Sequence, residues 1–382
     1  MKSVPTKKTH VLGAALFAAA LALPSYQTAF AETTPEKGVV AFKYLNYKDS
    51  QPGKDRIGVN AITGSIMMPF AGTWTVSSSY TYDSVSGASP THHDAVSSAS
   101  IKETRNAGDL SFTKYLPNGS WAFGLSYSKE SDYVSNGYSV QRSLSTEDKN
   151  TTVTFGGSYT TDTVGHNNYA TNPPINVEVG KKEIYSGLFG VTKILSKVDI
   201  VQLNIGFSKG DGYFTDPYKS YDIRPKQRNI TTLMARWNHH FENTDGTSHL
   251  SYRYYTDSYE VAAHTLTAEY LHPLPNHLTI IPSLRFSSQS AAYFYHPYSA
   301  ADYPPADAVS GAMPYSMDQR LSGFGALTLG MKAEKKLASS WTADLKLEYY
   351  KQLPGWCING SGDSQLKEFN FTSIQLGVSH EL

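Results

Sequence analysis

The chain holds a single cysteine, Cys357, and so excludes an internal disulfide framework and any multi-cysteine metal site. Cys357 sits beside Trp356 in an expected outer loop and reads as an unpaired thiol. Beyond the first 31 residues there is no run of 18 apolar residues, and mean hydropathy is −0.37. A helical membrane protein is excluded. An excess of one charge sign is also missing, because 33 Lys and Arg balance 33 Asp and Glu, and charged residues make up only 17%. Neither nucleic acid nor an acidic surface is an expected partner.

What is present begins with an export signal. Lys2, Lys7 and Lys8 precede an apolar core of 13 residues, Val11 to Leu23, and Ala29-Phe30-Ala31 forms a small-residue cleavage site. The core is too short to span a bilayer as a helix. The division expected is a signal peptide over 1–31 and one domain over 32–382, cleaved near Ala31 and exported through the periplasm. No cysteine stands at the cleavage site to accept a lipid anchor.

Aromatics are abundant, with 27 Tyr, 16 Phe and 5 Trp, enough for girdles at two membrane interfaces. Period-two alternation runs through much of the chain. From Trp341 to Tyr350 the odd positions are Trp341, Ala343, Leu345, Leu347 and Tyr349, whereas the even ones are Thr342, Asp344, Lys346, Glu348 and Tyr350. Trp121, Phe123, Leu125 and Tyr127 alternate with Ala122, Gly124, Ser126 and Ser128 in the same way. A soluble antiparallel sheet also alternates. The export signal, the Gly and Ser on the polar face and the lengths of the gaps favour a membrane.

The spacing predicts strands over Val39 to Tyr47, Arg56 to Met68, Thr73 to Asp83, Ile101 to Leu116, Ser120 to Lys129, Tyr138 to Leu144, Thr151 to Thr161 and Glu183 to Leu195. The series continues with Ile200 to Lys209, Asn229 to Phe241, His249 to Asp257, His264 to Leu271, Leu278 to Ser288, Leu321 to Lys335, Trp341 to Gln352 and Glu368 to Leu382. Gaps after even-numbered strands are tight, as at Pro69 to Gly72 and Pro273 to Asn276. Most gaps after odd-numbered ones are long: Ser84 to Ser100, Val164 to Lys182, Gly210 to Gln227 and Tyr295 to Gln319. Short turns at one end and long loops at the other belong to a transmembrane antiparallel up-and-down β-barrel of the bacterial outer membrane. The fold class expected is therefore all-β, with about 16 strands and 14 or 18 as the neighbouring even counts. Ile374, Leu376, Val378, His380 and Leu382 alternate at the C-terminus, resembling the terminal-strand signal read by the outer-membrane assembly machinery, with Leu382 and His380 where aromatics are common.

Asp83-Ser-Val-Ser-Gly-Ala-Ser-Pro90, Gly210-Asp-Gly-Tyr-Phe-Thr-Asp-Pro-Tyr218, Arg236-Trp-Asn-His-His-Phe241, Ser251-Tyr-Arg-Tyr-Tyr255 and Asp318-Gln-Arg-Leu-Ser-Gly-Phe324 resemble a bacterial family known as domain of unknown function 3570. The resemblance covers nearly all of the mature chain. It implies an outer-membrane barrel without an assigned substrate and carries over no catalytic residues.

Charged residues expected on the inner face are Lys43, Arg56, Arg236, Arg253, Glu269, Arg285, Asp344, Lys346 and Glu348. A barrel of this size leaves an aqueous channel, and rings of charge set the selectivity of such pores. Cross-strand pairing that stiffens the wall is the alternative role, and Arg253, Glu269 and Arg285 fall on consecutive strands where they could pair. His92, His93 and Asp94 fall in one long loop, and His239 and His240 are neighbours that must point to opposite faces, so no metal site is assigned. Asp211, Asp216 and Asp222 lack the spacing of a calcium loop. No cofactor is implied.

The function expected is a passive channel for small hydrophilic solutes, partnered by outer-membrane lipid and, during biogenesis, by the assembly machinery. A scaffold barrel that encloses or docks a partner is the alternative, favoured by Tyr-rich loops such as Tyr293 to Tyr298 and Tyr213 to Tyr221. A barrel-embedded hydrolase ranks below both, since no G-x-S-x-G elbow is present, and the chain is not expected to be an enzyme. The first strand starts close behind the cleavage site, which argues against a plugged transporter of the 22-strand kind. Solute and oligomeric state are left open by the sequence.

Overall fold

A computed structural model of the chain describes residues 33–90, 96–168, 175–219, 221–297 and 304–382. The expected signal peptide, the His92, His93 and Asp94 group and Tyr298 lie outside these residues. Sixteen antiparallel strands close into one barrel, each paired with its sequence neighbours and β1 with β16. They are β1 Val39–Gln51, β2 Lys54–Phe70, β3 Trp74–Pro90, β4 Val96–Leu116, β5 Gly119–Lys129, β6 Tyr133–Ser145, β7 Thr151–Asn168 and β8 Ile175–Ile194. The second half comprises β9 Asp199–Gly212, β10 Gln227–Phe241, β11 Gly246–Asp257, β12 Ala262–Leu274, β13 Leu278–Gln289, β14 Phe324–Lys336, β15 Trp341–Leu353 and β16 Phe369–Glu381. Closure runs from Val39 opposite Glu381 to Ser50 opposite Asn370. Closure leaves no unpaired sheet edge, which hydrocarbon would not tolerate.

Alternation decides which face is which. On β15, Trp341, Leu345, Leu347 and Tyr349 are exposed, whereas Lys346 and Glu348 on the other face are paired and largely covered. Phe371 on β16 stacks on Tyr350 of β15 at 4.6 Å and meets Tyr47 of β1 at 5.0 Å. On the same face Arg56 of β2 reaches over β1 to the Phe369 ring of β16, 4.9 Å from its centroid; side chains from strands on either side of a third converge in this way only across a concave surface, so this is the inner face. The exposed stripes form an outer apolar belt. Trp121, Trp237 and Trp341 lie toward its short-turn end and Tyr80, Tyr127, Tyr185 and Tyr349 toward its long-loop end, the depths at which amphipathic rings settle in a bilayer.

Every strand expected from the sequence is present, but the described residues of two of the four long gaps are strand. β3 runs on to Pro90 and β4 starts at Val96, so the expected gap from Ser84 to Ser100 is mostly strand. The gap from Val164 to Lys182 likewise becomes the ends of β7 and β8. β4 has 21 residues and β8 has 20, about twice the 9–11 that a tilted strand needs to cross. These hairpins stand beyond the apolar belt, where neither face meets hydrocarbon and nothing selects for strict alternation; Val164 and Asn167 of β7 are buried. Among the described residues, irregular chain of any length is left between β9 and β10, between β13 and β14 and between β15 and β16. The second of these carries a one-turn helix, Ala306–Val309.

Candidate functional site

The inner wall is divided. On β5 to β9, between the short turns and the Asp162–Lys182 pair (3.4 Å), the inner face carries Ser126, Ser139, Gln141, Gly156, Ser158, Ser186, Gly190, Asn204, Gly206 and Ser208, with no charged residue. Neighbouring hydroxyls satisfy one another, as Ser186 and Ser208 do at 2.7 Å and Ser145 and Thr152 at 2.9 Å. The charges gather on β10 to β15 and on β1 to β4, where Asp83 pairs with Arg105 at 2.7 Å and the exposed Asp109 accepts from Ser79 at 3.0 Å.

All the charged residues named from the sequence lie on this inner face. Arg236 donates to Asn238 at 3.1 Å and reaches His249 Nδ1 at 3.2 Å. His249 Nδ1 in turn lies 3.8 Å from Glu269. Lys346 pairs with Glu348 at 2.9 Å, and Glu348 accepts from Ser373 at 3.3 Å. Asp344 lies between Glu334 and Gly377 in register. Arg253, its Cζ 5.9 Å from the Tyr255 ring centroid, Arg285 and Lys43 are exposed toward the lumen and have no carboxylate partner among the described residues. The adjacency expected of Arg253, Glu269 and Arg285 is not found: Arg253 faces Thr265, Glu269 faces His249 and Ser283, and Arg285 faces Thr267 and Thr328.

Arg56 owes its position to a bulge. The β1–β2 register shifts between Lys48 and Ser50, so Arg56 and Ile57 together oppose Asp49. An extra residue of this kind re-aims a side chain, and Arg56 turns inward. There it is buried with Asp49 Oδ1 3.9 Å from its Nε and its guanidinium 4.9 Å from the Phe369 ring centroid. Arg56 is part of the packed wall, unlike Lys43, Arg253 and Arg285.

The sequence reading missed a second cluster, at the long-loop mouth. Asp318, with a fully buried side chain, accepts from Lys219 at 2.9 Å, from Arg224 Nη2 at 2.6 Å and from Arg320 Nε at 2.7 Å. Arg320 also reaches Asp216 at 2.7 Å, and Arg224 pairs with Asp222 at 2.9 Å. Three carboxylates thus meet three cations, and the buried charge sums to zero. Burial pushes the Asp318 carboxyl up, but Arg320, Lys219 and Arg224 outweigh it and hold the group well below the usual carboxylate range. Asp211, the other aspartate of the rejected calcium reading, stays apart and accepts from Gln227 at 3.0 Å.

These contacts form a strap across the mouth. The Tyr218 hydroxyl donates to Asp132 in the β5–β6 turn and accepts from the Asn167 N–H of β7 at 2.9 Å. Lys219 and Arg224, from the same loop, reach Asp318 in the β13–β14 loop, which pairs backbone with backbone at Ile223 and Tyr315. Tyr295 donates to Asp363 in the last loop at 2.5 Å. Tyr259, Val261, Ala292, Phe294, Tyr295 and Leu321 pack into a buried apolar cluster beneath. Gly212 begins the strap at φ +120, where a Cβ would stand 2.2 Å from the Lys181 carbonyl oxygen, so only glycine fits.

Beside Asp132, Glu130 is 8% exposed. Burial, reinforced by Asp132, raises its pKa to about 8. Cys357 is a free thiol whose Sγ donates to the Gln289 carbonyl at 3.2 Å. His239 and His240 do point apart, His239 to Asp199 at 2.8 Å and His240 to Thr247 at 3.2 Å.

The model of the family described as "Protein of unknown function (DUF3570)" matches residues 13–100 and 93–373. No curated protein matches the sequence. Similar solved structures include the siderophore receptor PirA from Pseudomonas aeruginosa, 9% identical with a TM-score of 0.44 over 84% of this chain and 57% of that one. CdiB from Acinetobacter baumannii is 10% identical with a TM-score of 0.47, over 88% and 60%. A BenF-like porin from Pseudomonas fluorescens Pf-5 is 10% identical with a TM-score of 0.45, over 91% and 98%. The chain spans less than two thirds of the length of the first two.

Proposed function

We propose that this chain, which belongs to the DUF3570 family, lies in a bacterial outer membrane as a passive channel for small hydrophilic solutes. The observation that carries the reading is that Lys43, Arg253 and Arg285 are inner-face residues and yet exposed. A packed barrel interior would cover them. Solute passes down its gradient between the hydroxyl wall of β5 to β9 and the charged wall opposite, and the strap at the mouth limits its size. Three exposed cations against one exposed carboxylate, Asp109 of β4, favour anions, since charged side chains lining a pore set the local ion concentration.

The test is single-channel conductance of the refolded mature protein in a planar bilayer under a salt gradient. Discrete steps with an anion-favouring reversal potential are expected. Silence from a barrel shown to be folded and inserted would refute the channel and leave the scaffold reading, in which the mouth docks a partner.

A further inference from the structure

The outer face bears a continuous row of aromatic and cationic side chains at the short-turn end of β2 to β7. In register across the strands stand Phe70, Trp74, Lys114, Trp121, Arg142 and Phe155. Lys114 lies between two indoles, its Nζ 4.9 Å from the Trp74 ring centroid and donating to Thr73 Oγ1 at 2.8 Å. Arg142 lies with its Cζ 5.4 Å from the Trp121 ring centroid. Neither cation has a carboxylate partner among the described residues. The nearby Asp148 carboxylate is occupied within its own turn by Thr146 at 2.5 Å and the Asn150 N–H at 3.1 Å.

Isolated cations on the lipid face of a barrel are destabilising unless they lie near the interface. These two are held there by cation–π contacts with interfacial tryptophans. β5 separates them, which places their backbones about 10 Å apart at two strand spacings. With no carboxylate to neutralise them, they present positive charge at the depth where lipid phosphates lie.

We infer that Lys114 and Arg142, set against Trp74 and Trp121, form a site for the phosphodiester headgroup of an anionic phospholipid in the leaflet at the short-turn end. The inference rests on the reading that the barrel is embedded in a bilayer, and it is independent of whether the lumen conducts. A phosphate oxygen supplies the ionic partner that each cation lacks, and the acyl chains lie along the apolar stripe of Phe123, Leu125 and Val140, all exposed.

The test uses the full mature chain, refolded in mixed micelles of phosphatidylglycerol and phosphatidylcholine, with retained lipid counted by native mass spectrometry. The wild-type protein should retain phosphatidylglycerol over phosphatidylcholine by roughly ten- to thirty-fold, the factor expected of two cations at a membrane surface. Lys114→Met with Arg142→Met should abolish the preference, whereas Lys114→Arg with Arg142→Lys should keep it. Arg253→Met with Arg285→Met removes the same charge from the lumen and should leave the preference intact. Undiminished retention by the Met pair at positions 114 and 142, or equal loss from the lumen pair, would overturn the inference. Failure of the wild-type protein to insert into neutral phosphatidylcholine vesicles would instead count against the bilayer reading itself.

Discussion

Replacing Asp318 with Asn should open the mouth while leaving the barrel closed. The substitution keeps the shape of the side chain and removes the one charge that Lys219, Arg224 and Arg320 share. Those cations are 20%, 12% and 33% exposed, so water reaches them poorly, and Asp216 and Asp222 alone cannot neutralise three. Removing one partner from a buried ionic cluster costs about 3–5 kcal/mol, which multiplies strap opening by roughly two to nearly four orders of magnitude. The strand ladders do not pass through Asp318, so the cost is borne by local opening and not by global unfolding.

Hydrogen exchange should report this directly. Amides of 213–219, 221–226 and 304–323 should lose protection in Asp318→Asn, while those of β10 and β13 keep theirs, and single-channel steps should become larger. Lys351→Ala provides the control, because the Lys351–Glu368 pair at 3.1 Å is about one third exposed on both sides. Such rim pairs contribute at most about 1 kcal/mol. Equal protection in Asp318→Asn and wild type would show that the ionic cluster does not hold the strap. Loss of the whole barrel would show that strap and barrel are one cooperative unit.

Arg253→Glu with Arg285→Glu should move the reversal potential toward cations, and an unchanged potential would mean that these side chains do not face the ion path. Single cysteines at Asp344, Lys346 and Glu348, introduced after Cys357→Ser, should react with water-soluble thiol reagents in vesicles, while those at Leu345 and Leu347 should be protected; the reverse pattern would shift the register by one. Glu130 should make the mouth sensitive to alkali. Its folded pKa, about 8, lies above the ordinary value of 4.5, so its contribution is fully present below 4.5 and is lost as pH rises through 8. Exchange of the amides of 130–133, corrected for its intrinsic rise with pH, should therefore accelerate as pH rises from 4.5 toward 8 and level off beyond it, and Glu130→Gln should flatten that dependence; an unchanged profile in the variant would rule Glu130 out as its source.

The parts of the fold that were legible in the sequence are those with lipid on one side and water on the other. Trp341 to Tyr350 shows its two faces plainly because Leu345 and Leu347 meet the bilayer while Lys346 and Glu348 meet the lumen. The outer ends of β3, β4, β7 and β8 stand beyond the apolar belt, where neither face meets lipid and β7 is covered by Tyr218 at Asn167, so Ser84 to Ser100 and Val164 to Lys182 look like loop although the ladder continues through most of each. Arg56 illustrates a finer limit. Its alternation partners Gly58 and Asn60 stay with the outer stripe, and only the shift at Asp49, a property of two strands together, brings the guanidinium inside.

The mouth cluster shows why the remainder was hidden. Arg320 and Asp216 are 104 positions apart, and neither lies in an alternating segment, so nothing local marks them as partners. A signal was nonetheless present in the motif runs Gly210 to Tyr218 and Asp318 to Phe324, which carried the family resemblance and stand outside the apolar belt. In a barrel the wall needs only alternation, which many residues satisfy, whereas a loop held across an open mouth needs particular partners at particular places. Long, specific runs in the loops of such a chain therefore point to contacts between loops. Here the pairing of Asp216 with Arg320 joins the two runs into one strap across the mouth.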